Sequence, residues 1–106
     1  MVKLTELKPH FLQLTEGRGR FHRIDNLAEA DGLLFLCPKC FTGDGHSVIC
    51  WFEDKVPDNL EPLPGRWKPA GTSYEDLSFV VGKRSNSIAL VGGCAWHGFI
   101  TKGEVT

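Results

Sequence analysis

The stretch "LLFLCPKCF", residues 33–41, decides how this chain is read. Its first half is a compact apolar run, which reads as a buried strand. Its second half places Cys37 and Cys40 at C-x2-C spacing in a short loop. Downstream, "VGGCAWHGFI", residues 91–100, has the same design, with Cys94 and His97 at C-x2-H spacing. In both places an apolar strand runs into a two-ligand loop, and an aromatic residue follows (Phe41, Phe99). The paired pattern points to a mainly β, small single domain with zinc-ribbon-like or Rieske-like paired metal-binding loops.

The spacing has a chemical reason. Two ligands three positions apart on a tight turn sit roughly 3.5–4 Å from each other, which suits tetrahedral zinc with Zn–S near 2.3 Å and Zn–N near 2.0 Å. Three thiolates and an imidazole would fill all four positions of a Zn2+ ion. Such a closed set is structural, because no position is left for water or substrate. The negative thiolate shell also lowers the Lewis acidity that hydrolysis by zinc needs. The metal set expected here is Cys37, Cys40, Cys94 and His97, holding one structural ion. Residues 41–93 separate the half-sites, longer than a usual ribbon interval. Four unconnected residues in a small β domain, or a Cys37–Cys40 disulfide, are the alternatives. Iron fits less well. A Rieske cluster needs a histidine where Cys40 stands, and a rubredoxin-like site needs a fourth thiolate.

Working outward, "HSVICWFED", residues 46–54, is rich in β-branched and aromatic residues and reads as the next strand. Within it, His46 and Cys50 lie on one face about 13 Å apart at strand rise, too far to share an ion. Cys50 therefore reads as a buried apolar residue. Residues 56–71 carry four prolines and two glycines and read as an irregular loop. "DLSFVVG" and "SIALVGG" read as two more strands joined by the turn "KRSN", and "GFIT" as a last short strand closed by "KGE". On the other side, "IDNLAEADG" offers Asp25 or Asn26 as an N-cap and Gly32 as a stop, for one or two helical turns. Residues 1–16 read as a short strand or an extended arm, interrupted at Pro9 and followed by the Gly/Arg loop, so that 1–24 together could form an arm.

With 106 residues, 42% hydrophobic and 24% charged, the chain has the make-up of one globular domain. The formal net charge of −1 argues against a general nucleic-acid binder. "GRGRFHR", residues 17–23, is the one local basic cluster, with Arg18, Arg20 and Arg23. No apolar run is long enough to span a membrane, and the first residues lack a signal-peptide h-region. An intracellular setting is expected, where cysteines serve as metal ligands or apolar residues more often than as disulfides.

Two further constellations bear on function. Ser85 and Ser87 stand before His97, and Asp44 or Asp76 could be imagined as an orienting carboxylate, but no G-x-S-x-G elbow is present. "PGRW", residues 64–67, joins Arg66 to Trp67 within the Pro-rich loop. Such a pair is suited to a protein contact, since both types are enriched at binding hot spots. The plainer reading is that Trp67 caps the core beneath the loop.

"GLLFLCPKC", "HSVICWF", "PGRW" and "GGCAWHGFI" followed by "KGE" together resemble a family of small phage and prophage proteins with CPxC and CxWHGF motifs, whose members often carry the label "ammonia monooxygenase". The resemblance runs from Gly32 to Glu104. It implies a small β domain with a Cys/His metal site, falling here on Cys37, Cys40, Cys94 and His97, and it implies no particular activity. The resulting expectation is a phage-encoded, zinc-stabilised, non-enzymatic accessory or virion-associated protein of the host cytoplasm or virion. It would bind a phage or host protein partner, with Arg66 and Trp67 as contact residues, or associate as a homo-oligomer. The alternatives are a hydrolase using Ser87 or a histidine, and a nucleic-acid-binding ribbon using the arginines.

Overall fold

The computed structural model describes residues 2–15, 20–39, 47–57, 59–60, 66–80, 87–89 and 96–106. The chain is mainly β, as its β-branched and aromatic runs require. Its radius of gyration of 12.7 Å matches the roughly 13 Å of a folded domain this size. Among the described residues no helix is long and apolar enough to cross a membrane.

The central sheet has the order β3-β2-β4-β5 and is antiparallel throughout. Its strands are β2 (His10–Leu14), β3 (Phe21–Ile24), β4 (Gly32–Leu36) and β5 (Ser47–Trp51). The pairing Leu33↔Cys50 and Phe35↔Val48 puts alternate residues of the two apolar runs on one face. Phe11, Leu33, Phe35, Val48 and Cys50 all lie in the main core on that face. Leu12 and Trp51 are buried on the other. Each large side chain removed from water in this way contributes about 1.5–3 kcal/mol.

A second set of strands closes over the core. β6 (Lys68–Ala70) pairs with β7 (Ser78–Val80), and β8 (Ile88–Ala89) pairs with β9 (His97–Gly98). β10 (Ile100–Thr101) turns into β11 (Glu104–Val105), which also pairs with β1 (Val2–Lys3). The β10–β11 turn uses Lys102 at φ 49° and Gly103 at φ 78°. Positive φ at both central residues is the conformation whose twist suits a two-residue hairpin. The Gly103 amide donates to the Leu77 carbonyl (2.8 Å), and the Gly103 carbonyl accepts the Leu4 amide (2.7 Å). A side chain at Gly103 would strike the Glu75 carbonyl.

Several local expectations are sharpened or corrected. The described part of residues 1–24 follows the short-strand reading and not the arm: Leu4 and Leu7 are fully buried, and β2 lies inside the sheet. The short helical segment expected after Asn26 is present as a single 3-10 turn, Leu27–Glu29, with Asn26 Oδ1 capping the Ala28 amide (2.9 Å) as its place implied. Gly32 does not stop that turn but begins β4. The Pro-rich stretch ends in a strand, with Pro69 paired opposite Phe79 in a two-stranded ribbon where its missing N–H is tolerated. "GFIT" is divided: Phe99 leaves the strand to exchange backbone hydrogen bonds with Thr106. The "KRSN" turn lies outside the described residues, and the strands on its two sides pair elsewhere, β7 with β6 and β8 with β9.

Candidate metal centre

Both cysteine loops are ends of antiparallel strand pairs. β4 and β5 finish their ladder at Leu36↔Ser47, and Cys37 is the first residue past it, fully buried. β8 and β9 pair as Ile88↔Gly98 and Ala89↔His97, so the loop that carries Cys94 springs from this ladder. His97 is the first residue of β9 and is exposed. Cys40, Cys94 and His46 lie outside the described residues. Among the described residues no three His, Cys, Asp or Glu side chains come together to hold a metal.

The two loops are linked through aromatic rings. Phe35, two residues before Cys37, meets Trp96, one residue before His97, edge to face at 6.2 Å and 88°. Pairs of this geometry contribute about 0.5–1.5 kcal/mol beyond their buried area. Phe35 and Cys37 share the core-facing side of β4 by strand alternation. Alternation likewise puts Trp96 and Gly98 on one side of β9 and His97 on the other. Gly98 makes room for the indole and for the Thr106 carbonyl: a Cβ there would strike both. His97 instead turns to Phe99, with ring centroids 5.9 Å apart. Thus Cys37 is buried on the core side, while His97 is exposed to solvent.

Cys50 is a core residue, as its position on β5 implied. Burial pushes its thiol pKa far above the ordinary range, so it is neutral and unreactive.

Arg66 and Trp67 are placed inside the molecule rather than at an exposed rim. Arg66 is only 4% exposed, and its Nη2 donates to the carbonyls of Pro57 (2.9 Å) and Leu60 (2.7 Å). The reason lies in composition: prolines offer no N–H, so carbonyls of a Pro-rich loop need donors from elsewhere. Trp67 stacks on Phe79 at 5.9 Å, and its Nε1 donates to the Ser87 carbonyl (3.1 Å). The core-capping reading of Trp67 therefore describes it. The lacing by Arg66 had a sequence signal, a lone arginine among prolines, which composition alone did not assign.

Asp76 belongs to its own turn. Its carboxylate accepts the amides of Thr72 (2.9 Å) and Ser73 (2.8 Å) and the Thr72 hydroxyl (3.0 Å). These bonds hold its pKa below the ordinary 3.8. It therefore serves Thr72 and Ser73 and, among the described residues, orients no histidine. Ser85 and Asp44 lie outside the described residues. Arg20 and Arg23 are exposed beside and on β3, and Arg18 lies outside the described residues.

No protein-family model matches the chain, and neither a curated protein nor a solved structure is significantly similar to it.

Proposed function

We propose that this is a phage-encoded, zinc-stabilised, non-enzymatic protein that binds another protein as an accessory or virion-associated factor. The observation that supports it best is the Phe35–Trp96 contact, which holds the two cysteine-loop hairpins against each other. Two loops with C-x2-C and C-x2-H spacing gain a common purpose if one ion joins them. Cys37, Cys40, Cys94 and His97 would hold it, and with four protein ligands it would staple the loops rather than activate water. A chain this small has few other means of fixing two loop ends.

Elemental analysis of the purified protein tests the metal part. One zinc per chain, with a melting temperature that falls on chelation, is expected. Metal-free protein that folds fully after Cys94→Ala overturns it. Recovery of a defined partner, retained after mild chelation has been excluded as a cause of aggregation, tests the binding part.

A further inference from the structure

The outer edge of β3 combines three features. First, β3 pairs only with β2, and among the described residues nothing pairs with its other side. The Thr15 amide donates to the Arg20 carbonyl (3.0 Å), so the backbone of Arg20 faces β2. By strand alternation His22 faces β2 as well, while the N–H and C=O groups of Phe21 and Arg23 point outward. Second, Arg20, His22 and Arg23 are all exposed, and residues 20–24 hold no carboxylate. Among the described residues Arg20 and Arg23 have no ion-pair partner. The nearby Asp31 carboxylate is turned to the Leu14 amide (2.8 Å). Third, Phe21 is 38% exposed, and its ring meets the edge of Trp51 at 5.8 Å, leaving an apolar step beside Arg23 on the same face of the strand.

We infer that this edge docks an extended acidic segment of a partner protein, added as a further strand beside β3. Backbone hydrogen bonds to Phe21 and Arg23 would set its register. Acidic side chains would face Arg20, His22 and Arg23, and one apolar side chain would lie against Phe21. A second copy of the chain fits poorly, because edge-to-edge pairing would set arginines against arginines. The inference rests on the protein-binding reading and gives it a surface.

The probe is a short peptide alternating Glu with Val, titrated into the full chain and followed by amide shifts. Controls are the same peptide N-methylated at alternate residues and a single-stranded oligonucleotide. The expected result is binding that moves the amides of residues 20–24. N-methylation, or Arg20→Glu with Arg23→Glu, should weaken it roughly tenfold or more. Equal binding of the methylated peptide, or tighter binding of the oligonucleotide, overturns the strand-addition model. A protein partner that binds the double-arginine variant undiminished overturns the edge assignment while leaving the protein-binding function in place.

Discussion

Trp51 lies across Gly32, its partner on the neighbouring strand. A Cβ at Gly32 would fall 2.5 Å from Trp51 Cε3 and 3.0 Å from the Cys50 carbonyl oxygen. The glycine is therefore needed for space. Gly32→Ala is expected to displace the indole and destabilise the chain by about 1–3 kcal/mol. Urea unfolding followed by tryptophan fluorescence measures this; an unchanged midpoint would show that the ring moves aside freely.

Arg66 offers a second test. Arg66→Ala removes both donors from the Pro57 and Leu60 carbonyls and is expected to cost about 2–4 kcal/mol, since hydrogen bonds to charged groups are the stronger kind. Arg66→Lys should recover part of it. Equal stability of the alanine and lysine variants would mean that packing, not donation, is the role of the side chain.

The Asp76 turn sets an acid response. Its carboxyl pKa is depressed in the folded chain, so its contribution is present above the unfolded value near 3.8 and is lost as pH falls through the folded value. Asp76→Ala should lower the melting temperature at neutral pH, and the gap from the parent should close in acid. A gap independent of pH would assign the effect to something other than the ionised carboxylate.

The two described cysteines should behave in opposite ways. Cys37→Ser is expected to abolish zinc retention, while Cys50→Ala should keep it and lose only about 1 kcal/mol of packing. Metal content and thermal melting of the two variants decide this. Loss of zinc in both, or in neither, would count against Cys37 as a ligand.

Tyr74 accepts the Phe11 amide through its hydroxyl (3.0 Å), and its ring stacks on that of Phe11 at 4.4 Å. Tyr74→Phe keeps the stack and removes the acceptor, so about 1 kcal/mol should be lost. Faster hydrogen exchange at the Phe11 amide would locate that loss.

What the sequence made legible were the strands with strong periodicity. The runs around Leu33 and Val48 pair where their alternating burial demands, and Cys50 is apolar as its place in the second run implied. What it hid depends on contacts between distant segments. Nothing local to Gly32 announces that Trp51 will cover it, so the glycine reads as a helix stop. Pro69 reads as a loop residue because local propensity is blind to a partner strand that leaves its nitrogen unpaired. Arg66 reads as an exposed contact residue beside a Trp67 that could cap the core, since burial is set by the whole chain. Of the four residues expected to bind metal, Cys37 and His97 are described, and their neighbourhoods meet through Phe35 and Trp96.

The pairing of Val2 with Val105 sets the order in which the molecule can fold. Among the described elements, the strand that comes first along this sequence pairs with the one that comes last. Leu4, meanwhile, takes its backbone acceptor from Gly103. Until the β10–β11 hairpin forms, β1 and the apolar residues behind it remain without their cover. Closing this pair is therefore a slow step of the kind that distant pairings impose.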